Sequence, residues 1–398
     1  MKEEHIMIIK MKELKIGNLT AKLPVIQGGM GVGISLSGLA SAVANQGGIG
    51  VISAAGIGML ESDFQSNFTE ANVRALKNEI RKAREKSKGI IGVNIMVAMS
   101  NFADLVKAAI EEGADIIFSG AGLPLNLPGF INGTSKTKLV PIVSSKRAAH
   151  IITKRWFDKY GYIPDAIVVE GPMAGGHLGF KPEQLEDPAF SLENLITEVL
   201  KELKPFEEKH KKAIPVIAAG GIYSGEDIYK IMKLGASGVQ MATRFVTTKE
   251  CDASDEFKNS YIAATKENIG IIKSPVGMPG RAIINSFIHD VTAGERKPYK
   301  CPYHCIITCD YINSPYCIAL ALMNAKKGHL KNGFAFAGAN AYKTDKIISV
   351  CELTDILKDE YSAAEFADKK NRRKTDLARI RASIRQRQNR AKKALDVI

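Results

Sequence analysis

Short apolar runs rich in β-branched residues recur between Leu23 and Ala242. Leu23–Gln27, Ile49–Ser53, Ile90–Met96, Asp115–Ser119, Leu139–Val143, Asp165–Val169, Ile214–Ala219 and Gly238–Ala242 read as short buried strands. Between most of them the apolar positions widen to a helical period. The spacing predicts helices over Ser35–Asn45, Glu70–Lys88, Phe102–Glu112, Lys146–Tyr160, Leu192–His210 and Ser224–Leu234. Gly47-Gly48 stops the first. Ser224 can cap the last, with Glu226 and Asp227 near its positive end.

Eight strands alternating with helices match the count of a TIM (β/α)8 barrel, although an open doubly wound sheet alternates similarly. Glycine-rich or polar residues follow strands one, four, six and seven, at the face where barrel active sites assemble, and they favour the barrel. After about residue 270 the alternation breaks. Ser274-Pro-Val-Gly-Met-Pro-Gly280 is turn-rich and a cysteine group follows. The expected organisation is a barrel over 1–270, an appended subdomain or lid with the cysteines over 271–345, and a helical segment with a basic tail over 346–398. Gly333–Tyr342 fits a lid or an ordinary core segment. Lys346–Leu357 reads as a strand leading to a helix, with Thr354-Asp355 near the helix start.

A chain of 398 residues, 45% hydrophobic and 24% charged, can bury a full core. Its net charge of +13 is uneven: from Tyr361 onward twelve Lys and Arg face four acids, so +8 lies in the tail. There Leu377, Ile380, Ile384, Ala391 and Leu395 recur at helical spacing, the pattern of an amphipathic helix with a solvated basic face. RNA or anionic-surface binding is the sharper alternative, but no aromatic residues interleave for stacking, so nucleic acid is not the expected partner. The N-terminal Met-Lys-Glu-Glu-His is unlike a signal peptide, and no apolar run approaches the roughly 20 residues of a membrane span. Six cysteines in this length are not a secreted disulfide framework. The expectation is a soluble, cytoplasmic protein with no membrane partner.

The stretch Val168–Gly179 carries the candidate chemistry. A buried strand opens into Gly175-Gly176, where backbone can approach a ligand closely, and His177 follows with an ordinary pKa suited to proton transfer. A glycine-rich turn with a surface histidine is the bland alternative. Cys301, Cys305, Cys309 and Cys317, spaced four, four and eight, suit a [4Fe–4S] cluster or a structural zinc, yet match neither common spacing. The same positions fall on one side of a helix, while Pro302, His304 and Pro315 favour a compact loop. Reduced structural thiols are the first reading, and no metal ligand is assigned. Cys251 and Cys351 look isolated.

Five pieces, each at a strand end, carry a resemblance. They are Gln27-Gly28-Gly29-Met30, Gly92-Val93-Asn94-Ile95, Glu170-Gly171 through Gly175-Gly176-His177, Ala218-Ala219-Gly220-Gly221, and Gln240-Met241-Ala242-Thr243-Arg244-Phe245. With them, residues from about Leu23 to Ile288 resemble the flavin-dependent nitronate monooxygenases (formerly 2-nitropropane dioxygenases) and the flavin-dependent enoyl-ACP reductases. The resemblance implies FMN in a TIM barrel. Asn94, Glu170, Gly175, Gly220, Gly221, Gln240, Met241, Ala242 and Thr243 would contact it, and Gly28, Gly29 and Met30 would line the flavin. Glycine amides after strands seven and eight suit a phosphate, and Asn94 can donate and accept toward the ring edge. Closing a strand end is the alternative for Asn94.

By the same resemblance His177 is the catalytic histidine, taking the α-proton of a nitroalkane or holding an anionic nitronate as its cation. The implied reaction oxidises nitronates with O2 to a carbonyl compound and nitrite. An NAD(P)H-dependent enoyl-ACP reductase or quinone reductase is the alternative, so the small-molecule substrate is a nitronate or an enoyl thioester. A non-catalytic nucleic-acid-associated protein is the second alternative, and a homodimer stays open. Three positions depart from the pattern: Met173 where Glu is frequent, Leu178 where many nitronate monooxygenases have Arg, and Ala242 where Gly is frequent. They leave the substrate open.

Overall fold

The computed structural model describes residues 11–295, 301 and 303–395, with side chains beyond 375 described only at Arg379. A hairpin comes first, β1 (Leu14–Ile16) and β2 (Leu19–Ala21). Parallel strands follow: β3 (Val25–Gln27), β4 (Ile49–Ser53), β5 (Ile90–Met96), β6 (Ile116–Gly120), β7 (Lys138–Val143) and β8 (Ile167–Glu170). Past the short β9 (Gly176–His177) come β10 (Val216–Ala219) and β11 (Gly238–Met241), and β11 pairs back onto β3 to close an eight-stranded barrel. Helices α1 (Ser37–Asn45), α2 (Phe68–Lys86), α3 (Phe102–Glu111), α4 (Lys146–Tyr160), α5 (Leu192–His210) and α6 (Gly225–Lys233) fill the connections. This is the TIM barrel that the alternation predicts, with element bounds within two residues of those read from the pattern.

Strand parity divides the core. Ile26, Ile49, Val51, Phe118, Val168 and Ile217 point inward, and Leu14, Ile16 and Ala21 of the hairpin join their cluster to plug the barrel floor. The hairpin has no counterpart in the sequence reading, because three-residue strands are too short to display a period of two. Ile52, Val93 and Ile117 point outward into the layer beneath the helices. At Gly50 a Cβ would stand 1.8 Å from the Ala40 carbonyl oxygen, so the bare backbone is what lets α1 lie directly on β4. Ser224 caps α6 as expected: its Oγ accepts from the Asp227 amide at 3.1 Å, and Asp227 accepts from the Ser224 amide at 3.0 Å.

After the single turn α7 (Thr243–Val246) and α8 (Asp255–Ile262), the turn-rich run becomes the bend of an antiparallel hairpin, β12 (Ile269–Lys273) and β13 (Pro279–Ile283). Strand β13 also pairs with β9, setting Gly280 opposite His177 and Arg281 opposite Gly176. Helices α9 (Ser286–Thr292) and α10 (Ile318–Lys326) follow, with the cysteine segment between them in irregular loop. The helical reading of the cysteine spacing therefore fails. The segment Gly333–Tyr342 runs beside β13, with Phe334, Ala335 and Ala337 buried and Phe336 bridging to Ala282.

The last helix, α11 (Val350–Leu395), corrects the reading of 346–357. The expected strand is one bridge, Thr248 to Ile348, and the helix starts at Val350, before Thr354. Ser349 and Glu352 supply the cap: Glu352 accepts from the Ser349 amide at 2.8 Å and Ser349 Oγ from the Glu352 amide at 3.1 Å. Leu353, Leu357 and Tyr361 bury one side of α11. Its backbone passes so close to α6 that a Cβ on Gly225 would lie 2.1 Å from the Leu357 carbonyl oxygen. The apolar tail positions Leu377, Ile380, Ile384, Ala391 and Leu395 lie outside the described side chains. Among the described residues no helix is long and apolar enough to cross a membrane.

Gly225→Ala should lower stability by about 1–3 kcal/mol through overpacking against α11. Gly133→Ala, where an added Cβ meets nothing within 4 Å, is the control and should leave the urea midpoint nearly unchanged. Equal midpoints for the two variants would show that α11 does not dock on α6 in solution.

Candidate active site

Closing the barrel gathers every strand's C-terminal end at one mouth, and a cavity of about 470 Å³ opens there. Most strands contribute through their last residues or the loop that follows. Gly28, Gly29 and Met30 follow β3, Asn94 sits within β5, Glu170 ends β8, and Gly175 and His177 lie in the loop beyond it. Gln240, Ala242 and Thr243 come from β11 and its sequel. These sequence-predicted residues share one cavity. Gly220, Gly221 and Met241 do not line it: Met241 points into the outer core, and Met173 stands 2.9 Å from where a Cβ of Gly221 would be. Both glycines hold positive φ, 92° and 85°, which fixes their residue type.

The His177 imidazole is set by three contacts. Its backbone pairs across to β13, its Nε2 lies 2.7 Å from Ser274 Oγ, and its ring meets Phe336 edge-on at 4.9 Å. Burial pushes its pKa down to about 4, so the neutral imidazole is the resting form. The alternative of a surface histidine in a glycine turn is thereby set aside. Glu170 lines the cavity, and burial raises its pKa to about 7. No Lys or Arg is among the described residues lining the cavity.

Several positions surrounding the site have no counterpart in the sequence reading. Arg281 donates through Nη1 to the carbonyl oxygens of Pro172 and Ala174, the latter at 2.8 Å, and so pins the loop before His177. Asn340 donates to Gly221 O at 2.6 Å, and the Gly338 amide to Thr243 Oγ1 at 3.0 Å, which ties the 333–342 segment to the ends of β10 and β11. The Tyr261 hydroxyl donates to Phe336 O. Ser274 did carry a signal, since it opens the turn-rich run. Nothing in a sequence pairs it with a residue 97 positions earlier.

The cavity can take a planar polar ligand. A Cβ on Gly29 would lie 2.5 Å from Asn94 Cβ and one on Gly28 would lie 3.2 Å from Gln240 Cγ, so the floor is bare backbone by necessity. The Asn94 and Gln240 amides face the open space without a hydrogen bond to another described residue. Two amides and a carboxyl left unpaired in an apolar wall are a donor and acceptor set for a bound molecule.

The family model for nitronate monooxygenase matches residues 12–360. A probable nitronate monooxygenase of Staphylococcus saprophyticus is 27% identical over 311 residues, covering 71% of this chain and 81% of that protein. An indene-carboxyl-CoA dehydrogenase of Mycobacterium tuberculosis is 26% identical over 273 residues, covering 69% of this chain and 66% of that one. Among solved structures, FabK from Thermotoga maritima superposes with a TM-score of 0.67 at 26% identity, covering 88% of this chain and 95% of that chain.

The two shifted groups act oppositely on stability. His177, depressed from 6.5 to about 4, contributes stability that is full above 6.5 and lost as pH falls toward 4. Glu170, raised from 4.5 to about 7, contributes stability that is full below 4.5 and lost as pH rises toward 7. Each slope is about 1.4 kcal/mol per pH unit, so the two offset between 4.5 and 6.5. In the ligand-free protein Glu170→Gln should remove one of them. Urea midpoints of this variant should then rise with pH across that window more steeply than those of the parent. Parallel curves would show that one of the two groups is not desolvated.

Proposed function

The chain belongs to the nitronate monooxygenase family, and on that premise we propose that it is an FMN-dependent oxidoreductase of alkyl nitronates. It would convert them with O2 to a carbonyl compound and nitrite. The observation that carries this reading is the half-buried imidazole of His177, held by Ser274 at the edge of a glycine-floored cavity. Gly28, Gly29 and Met30 would pack against the flavin, with Asn94, Glu170, Gly175 and Gln240 meeting its polar edges. Backbone amides about Ala242–Thr243, with the Thr243 hydroxyl, would meet the phosphate, since no Lys or Arg is among the described residues that line the cavity. FMN, when bound, supplies the two-electron oxidation that no side chain can perform.

The protein's own part is proton transfer and exclusion of water. As a neutral base at physiological pH, His177 can accept the α-proton of a nitroalkane at a ring nitrogen, and it becomes a cation only at that moment. The resulting imidazolium would lie beside the nitronate it has just formed and offer that anion a positive charge, with no Lys or Arg among the described lining residues. Phe336, Met278 and Val276 cover the mouth and keep the imidazole out of bulk water.

A second reading, an NAD(P)H-dependent reductase of enoyl thioesters or quinones, is favoured by the lining itself. Met59, Phe64, Met96, Met99 and Leu322 form an apolar wall suited to an uncharged chain. The likeness to a carboxyl-CoA dehydrogenase points the same way.

His177→Ala should retain bound flavin and lose about 10²–10⁴-fold in kcat/KM, because cofactor binding and base chemistry use different residues. Unchanged turnover on every nitroalkane and nitronate tried would remove His177 from the chemistry. In anaerobic mixing, a nitronate should bleach the flavin absorbance while NADH and NADPH leave it intact. Rapid bleaching by either nicotinamide would reject the monooxygenase reading in favour of the reductase.

A further inference from the structure

The four cysteines of the loop between α9 and α10 are brought to one place. Cys301, Cys305, Cys309 and Cys317 all line a second, small cavity, closed at its sides by His304, Tyr311 and Tyr316. None of them is in a disulfide. The loop achieves this without helix or sheet. His304 turns the chain with a left-handed φ of 48°, its ring meets Tyr311 at 4.0 Å, and Cys317 starts α10, where its carbonyl accepts from the Ala321 amide at 3.0 Å. The loop is tied to the barrel by Ser100 N donating to Cys305 O at 3.2 Å and Ile307 N to Ala98 O at 2.8 Å.

We propose that Cys301, Cys305, Cys309 and Cys317 are the ligands of an iron–sulfur cluster seated in this loop, a site separate from the flavin cavity and next to it. Four convergent sulfurs from one irregular segment are the full ligand set of such a cluster. Packing alone gives no reason for that convergence, since apolar side chains fill a loop core without it. Among the described residues no three His, Cys, Asp or Glu are arranged around a single metal ion. A tetrahedral zinc requires its sulfurs within roughly 4 Å of one another, as Zn–S bonds of about 2.3 Å dictate. A polynuclear core, with a separate iron for each thiolate, accepts a wider ring.

The position adds a consequence. Cys305 and Ile318 line both cavities, so the wall between the cluster site and the main cavity is one side chain thick. A one-electron centre there would adjoin the place where the preceding reading puts a two-electron cofactor. The ligand assignment itself does not depend on that reading.

The test is to purify the full chain anaerobically, reconstitute it with ferrous iron and sulfide, and assay iron, acid-labile sulfide, zinc and flavin separately. Iron and sulfide should appear in equal amounts, about four of each per chain. They should come with a broad visible absorbance that dithionite bleaches and an electron paramagnetic resonance signal in the reduced state. Cys309→Ser and Cys301→Ser should each lose most of the iron, sulfide and signal while keeping flavin and the circular dichroism of the barrel. Cys351→Ser, an exposed cysteine elsewhere, should keep everything. Two results would overturn the proposal: zinc without sulfide, or reconstituted protein that binds flavin and stays free of iron. Protein with iron and sulfide but no flavin would uphold the cluster and sink the flavin reading instead.

Discussion

Hydrogen bonding of β11 back onto β3 is the constraint on which the rest of this structure depends. Val239, Gln240 and Met241 register against Val25, Ile26 and Gln27, and no strand of the eight is left with an open edge. Closure also fixes where function can reside. With every strand parallel, all eight C-terminal ends share one mouth, so Gly29, Asn94, Glu170 and Gln240 meet there although far apart in sequence. The opposite end is sealed by the Leu14–Ala21 hairpin, whose apolar residues continue the interior layers and leave the mouth as the route to the barrel interior.

Above that mouth the appended segment builds the walls. Strand β13 draws β9 into a small sheet and thereby fixes His177, while Arg281, on the same strand, holds the loop leading to it. Phe336 and Asn340 reach in from a third stretch of chain. The site is thus made jointly by the barrel, which supplies bare backbone and amides, and by the extension, which supplies enclosure. Enclosure in turn determines protonation. A histidine lowered to about 4 and a carboxyl raised to about 7 are both shifted toward their neutral forms, because the apolar wall disfavours any charge that lacks a partner.

The sequence by itself determined the eight strands and the six helices between them, because β-branched runs and helical spacing are local patterns and each marks its own element, while closure into a barrel came from β11 pairing with β3. It also determined which glycines and polar residues stand at strand ends, and Ser224 as a cap, since these follow from residue type and immediate neighbours. Helix α11 shows the limit of local reading. Ser349 and Glu352 cap it earlier than Thr354-Asp355 suggested, and its seat on α6 needs a glycine at position 225, more than a hundred residues away. Only the tertiary structure decided the partners of His177, the withdrawal of Gly220, Gly221 and Met241 from the cavity lining, and the gathering of four cysteines around one small cavity. These depend on contacts between segments distant in sequence, and no local periodicity encodes a distance across folded space.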